Sequence, residues 1–209
     1  MSTEQTSTTS TAIFATSPHM NAVSIFVAVV LGSSLIEFNG LLFPPKLTSL
    51  AFWAILPCYC FAFDAWFGII AWARYTPYLD KPISRTWIAG MFLAWTFVLA
   101  VMYFASRLPD SFLGYIWCLV VLFIVMWASY YFRHRDTNLP EPLILCAQFG
   151  SLALIAATVY SIWALAFPAV PDTVNWVFVF IVFAIMVGYR VMLRMTHVWR
   201  PEERHVKEG

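Results

Sequence analysis

The strongest constraint on this chain is where its charges are missing. No charged residue lies between Arg85 and Arg107, between Asp110 and Arg133, or between Glu141 and Asp172. About 20 consecutive apolar residues suffice to cross the roughly 30 Å hydrocarbon layer of a bilayer. Three more stretches meet that length: about 20–43, 50–74 and 173–197. With 86–106, 111–132 and 143–167 they make six. A soluble domain carries roughly 25% charged and 45–50% apolar residues. Here the shares are 11% and 61%, with a mean hydropathy of +0.76. The expected fold is an all-α integral membrane protein, a bundle of six transmembrane helices.

The basic residues predict how such a bundle threads the membrane. Arg74, Lys81 and Arg85 flank the second connection, and Arg133 and Arg135 the fourth. Arg190, Arg194, Arg200, Arg204 and Lys207 follow at the C-terminal end. Ten of the twelve Lys and Arg thus fall on one face of a six-span protein, against Lys46 and Arg107 on the other. The positive-inside rule puts that face, and both termini, in the cytoplasm, which points to the cytoplasmic (plasma) membrane. Residues 1–19 read as a disordered Ser/Thr-rich tail, since they lack the basic start of a secretory signal. Residues 200–209 read as a charged cytoplasmic tail. Trp53, Trp117, Trp163 and Trp176 lie toward the outer helix ends and Trp72, Trp87 and Trp199 toward the inner ones, as headgroup anchors do.

One segment carries a charge deep inside. The stretch Leu50 to Arg74 places Asp64 near mid-span, with Pro57 about two turns before it. A carboxylate in hydrocarbon is costly unless it meets a partner, a water-filled cavity or a proton, so Asp64 is the main functional candidate. Arg190, in the same inner half of the sixth segment, is its expected partner. Pro57 frees a backbone carbonyl and is expected to kink the helix. Pro57, Cys60, Asp64, Gly68 and Ala71 fall on one stripe, which is expected to face other helices.

Other polar residues form a second rank. Glu37 and Asn39 stand near the outer end of the first segment, with Ser33 one turn back from Glu37 where a hydroxyl–carboxylate cluster is geometrically allowed. Gln148 on the fifth segment joins the transport or ion-pair candidates, with helix-to-helix hydrogen bonding as its other role. Arg133, His134 and Arg135 read as contacts to anionic lipid headgroups. Ala28 and Gly32, Gly90 and Ala94, and Ala184 and Gly188 are small residues four apart, a spacing that lets helices approach closely.

Several chemistries are set aside. The histidines lie outside the deep parts of the spans, so no haem ligand pair is expected, and neither a cofactor nor a metal site. The four cysteines form no C-x-x-C motif, and no H-E-x-x-H, G-x-S-x-G or P-loop is present. No catalytic residues are assigned. A net charge of +1 offers nothing to nucleic acid. Two functions remain in contention. One is a transporter or channel for a small solute or ion, using Asp64 as a proton or cation site. The other is a non-catalytic membrane subunit or scaffold that binds lipid, further copies of itself or partner membrane subunits.

Overall fold

The computed structural model describes residues 18–75, 85–137, 141–167 and 170–195. The first seventeen residues, the segment 76–84 with Lys81, and the tail from 196 onward lie outside the described residues. The fold is all-α. Its helices are α1 (Pro18–Glu37), the single-turn α2 (Asn39–Leu42), α3 (Leu50–Tyr75), α4 (Arg85–Ser106), α5 (Phe112–Thr137), α6 (Glu141–Ala166) and α7 (Asp172–Met195). Five of them, α3 to α7, are long and apolar enough to cross a membrane. The apolar stretch of α1, Ala22–Glu37, is shorter than that.

The first segment departs from a single helix over 20–43. It breaks at Phe38, whose backbone (φ −98°, ψ 13°) leaves helical geometry before α2 begins. The reason is local. Asn39 and Gly40 are poor helix formers, and Pro44 and Pro45 have no N–H to continue a ladder. The chain from α2 to α3 is then held by Trp53, whose indole N–H donates to the Leu47 carbonyl at 2.9 Å.

Side-chain contacts fix how the helices run. Trp53 lies 5.9 Å from Phe180, and Phe61 lies 6.2 Å from Tyr189, so α3 and α7 are parallel. Phe112 against Phe178 and Phe123 against Tyr189 make α5 parallel to α7 as well. Phe112 stacks on Tyr160 at 4.2 Å, while Phe123 receives the Cys146 thiol on its carbonyl, so α6 runs the other way. α4 also opposes α5, with which it forms a tight hairpin. There the Ser111 hydroxyl donates to the Phe104 carbonyl at 2.7 Å. One end of the bundle therefore gathers the helix-end residues Arg74, Arg85, Arg133, Arg135 and Arg194. The opposite end carries Lys46, Arg107, Asp110 and Asp172. Asp172 stands in the first turn of α7 and Arg194 in its last, each the sign that the helix dipole favours.

α3 is the hub, packed against α1, α4 and α7. It passes through Pro57 as one continuous helix. Its buried side is built from Ala54, Ile55, Cys58, Phe61 and Ala62, and Cys60 is exposed, so the stripe expected from Pro57, Cys60 and Asp64 is not the packing face throughout. Two of the paired glycines do sit at helix contacts, although Ala184 beside one of them is exposed. A Cβ on Gly188 would lie 3.2 Å from Phe149, and one on Gly90 would collide with the Ser129 side chain. Gly32 has open space beside it, and Ala28 is exposed.

The Gly90–Ser129 contact gives a direct test of the α4–α5 packing. Gly90→Ala is expected to lower the thermal stability of the purified protein by an amount on the order of 1–3 kcal/mol, the usual cost of overpacking. Adding Ser129→Gly should recover most of that loss. Gly32→Ala should cost nothing, because no neighbour meets it. Equal effects at Gly90 and Gly32 would contradict this packing.

Candidate functional site

The site is a three-charge cluster between α3 and α7. Asp64 lies fourteen residues into α3, and α7 presents Arg190 and Arg194 one turn apart on the side facing it. The Arg190 Nη1 is 3.6 Å from Asp64 Oδ2, and the Arg194 guanidinium forms an ion pair with Asp64 Oδ1. Each carboxylate oxygen thus faces its own guanidinium. The side chains of Arg190 and Asp64 are 9% and 16% exposed, whereas that of Arg194 is 62% exposed. The cluster is buried at Arg190 and opens outward at Arg194, toward the basic end of the bundle.

Aromatic rings hold Arg190 in place. Its guanidinium lies 4.1 Å above the centre of the Phe61 ring and 5.6 Å from that of Tyr189. A cation over a ring face is attracted by the ring quadrupole, more strongly where water is absent. Phe61 and Asp64 are three residues apart, so one face of α3 supplies both the ring and the carboxylate. The Arg190 Nε and the Trp66 indole N–H are buried without a hydrogen-bond partner among the described residues. Tyr189 is buried next to the cluster and packs against Phe61, Phe123 and Phe149, with ring centres 5.5–6.2 Å away. Its hydroxyl lies 3.4 Å from that of Tyr130 on α5.

Further polar contacts tie helices together elsewhere. Tyr160 donates to Asn175 Oδ1 at 2.8 Å between α6 and α7, and Asn175 is buried. Tyr59 donates to Ser34 Oγ at 2.9 Å between α3 and α1. Near Pro57, the Tyr115 hydroxyl and the Cys58 thiol both reach the Ala54 carbonyl, each at 3.3 Å.

The remaining sequence candidates do not join the cluster. Glu37 ends α1 exposed, and Asn39 opens α2 exposed, both at the end away from Arg194. The hydroxyl–carboxylate cluster near Glu37 does not form, because Ser33 donates to the Val30 carbonyl at 3.1 Å instead. Gln148 is exposed on the outer face of α6. Arg133, His134 and Arg135 lie along the last turns of α5. Arg194 is the residue that sequence reasoning left out of the site. Its spacing of four from Arg190 puts it on the same face of α7, and that spacing was the available signal. Among the described residues, no three His, Cys, Asp or Glu side chains gather as a metal site requires.

Comparison with models of known protein families, with curated proteins and with solved structures gives no match.

The cluster predicts an unequal response to mutation. Removing one partner of a buried pair strands the other charge, at a cost of roughly 3–5 kcal/mol in soluble proteins. Asp64→Asn and Arg190→Gln should both destabilise strongly, measured by thermal unfolding in detergent micelles. Arg194→Gln should cost much less, because Arg190 remains to hold the carboxylate. The double variant Asp64→Asn/Arg190→Gln should be more stable than the sum of its singles implies. Strictly additive losses would show that the two do not interact.

Proposed function

We propose that this multi-pass membrane protein is a non-catalytic membrane subunit or scaffold, in which the Asp64 cluster locks α3 to α7. The observation that carries this reading is that both oxygens of the one deep carboxylate face guanidinium groups. A carboxylate so engaged is committed to helix contact rather than offered to a travelling proton or cation. The lipid-facing surface, with Arg133, His134 and Arg135 at headgroup level, then meets anionic lipid and partner membrane subunits.

A second reading, transport of a small solute or ion, is favoured by Arg194. Its guanidinium pairs with Asp64 while mostly exposed, so this half of the cluster can open without unpacking the core. One carboxylate against two guanidiniums also leaves the cluster with one positive charge in excess. Under this reading Asp64 exchanges partners as cargo passes.

In either case we place the chain in the cytoplasmic membrane with six spans and both termini inside. The placement of five basic helix-end residues at one end supports that orientation. α1 rises about 30 Å over its 20 residues, which supports counting it as a span despite its short apolar stretch.

Two measurements test this reading. Cysteine labelling from either side of a sealed membrane should place positions 2, 84 and 138 inside and Asp110 and Asp172 outside. Position 2 labelling from the outside would reduce the count to five spans. In proteoliposomes, the scaffold reading expects no proton- or ion-coupled flux from the wild-type protein. It also expects Asp64→Asn to disturb assembly. Flux that is present in the wild type and lost in a folded Asp64→Asn variant would establish transport instead.

A further inference from the structure

The Asp64 cluster is short of acceptors and carries a positive charge in excess. A guanidinium has five N–H donors and a carboxylate roughly four acceptor sites, so two of the first against one of the second leave donors over. Their places are visible. The Arg190 Nε is buried without a hydrogen-bond partner among the described residues. Arg194 turns one nitrogen to Asp64 Oδ1 while its side chain is 62% exposed. Among the described side chains the other acids, Glu37, Asp110 and Asp172, stand at the opposite end of the bundle.

The cluster also stands where a lipid phosphate reaches. The apolar stretch of α3 ends at Phe67 and that of α7 at Met195, so Asp64 and Arg194 both lie within one turn of the edge. A long cationic side chain at that depth extends toward the headgroup layer. Beside it the surface is apolar. Phe67, three residues after Asp64, and Val191, three residues before Arg194, are exposed on the same faces of their helices.

We propose that Arg194 binds the phosphate of an anionic phospholipid at the junction of α3 and α7, with Asp64 and Arg190 behind it. Charge selects the occupant. Two guanidiniums, one carboxylate and one phosphodiester monoanion sum to zero. A zwitterionic lipid brings its own cation and leaves the excess uncorrected. Free phosphate carries more than one negative charge near pH 7 and has no acyl chains to lie along Phe67 and Val191. The planar guanidinium fork matches phosphate oxygens, and basic pockets between membrane helices take such headgroups. This seat is distinct from the headgroup contact of Arg133, His134 and Arg135. It rests on the ion pair alone, so it holds under either reading of the cluster.

The test uses the full chain purified in detergent micelles and titrated with phosphatidylglycerol. Native mass spectrometry counts the bound lipid, and thermal unfolding follows stability. One phosphatidylglycerol should bind more tightly than the rest and raise the unfolding temperature. Phosphatidylcholine, glycerol phosphate and inorganic phosphate should do neither. Arg194→Gln should weaken that first lipid by about tenfold or more, since it removes at least one charge-assisted hydrogen bond. Arg194→Lys, which keeps the charge but loses the fork, should weaken it less. Arg107→Gln removes the same charge at the opposite end and should bind as the wild type does. Equal binding of phosphatidylcholine, or equal stabilisation by glycerol phosphate or inorganic phosphate, would overturn the proposal. So would wild-type affinity in Arg194→Gln, or an equal loss in Arg107→Gln.

Discussion

Hydrocarbon offers no hydrogen bonds, so a polar side chain on a membrane helix gains by finding a partner on a neighbouring helix. The helix-to-helix contacts of this chain follow that preference. Tyr59 meets Ser34 between α3 and α1, Tyr115 meets the Ala54 carbonyl between α5 and α3, and Tyr160 meets Asn175 between α6 and α7. Asp64 with Arg190 and Arg194 is the same solution applied to full charge, and it joins the two parallel helices α3 and α7. The neutral hydrogen bonds among them are individually modest in a membrane, commonly below about 2 kcal/mol each. Their value here is that each fixes a rotation of one helix against another.

Packing completes what the polar contacts orient. Between membrane helices the hydrophobic effect gives little, because lipid tails are as apolar as leucine, so close van der Waals contact has to hold the helices together. Tyr189 shows how this is done. Its ring is enclosed by Phe61, Phe123 and Phe149 from three different helices, and the neighbouring Gly188 lets Phe149 come close. The Arg190 guanidinium then lies over Phe61, so the aromatic cluster and the charge cluster share a wall. Disturbing Phe61 would therefore loosen both.

The absence of charge along the chain made α4, α5 and α6 readable, because a span tolerates so few charges that Arg85, Arg107, Asp110, Arg133 and Glu141 mark their limits. The break at Phe38 was harder to see. Asn39 and Gly40 weaken a helix without forbidding it, and the decisive prolines come only at 44 and 45. At the site, a lone acid in an apolar stretch singled out Asp64, while the rotation of α3 about its axis was not readable. An apolar residue is equally at home against lipid and against protein, so hydropathy does not tell Cys60, which is exposed, from Cys58, which is buried. Arg194 was hidden for a related reason. Its place in the last turn of α7 looks like an ordinary interfacial anchor, and only the pose of Asp64 draws it inward.

The central claim is that one carboxylate on α3 is held by two guanidiniums on α7. Solid-state NMR on the protein in lipid bilayers tests it most directly, by recoupling the ¹³C carboxyl of Asp64 to ¹⁵N-labelled arginine side chains. A separation of 3.6 Å between Arg190 Nη1 and Asp64 Oδ2 predicts strong dephasing. That dephasing should weaken in Arg194→Gln, weaken again in Arg190→Gln, and vanish when both are replaced. An Asp64 carboxyl that shows no arginine coupling in the wild-type protein would contradict the account.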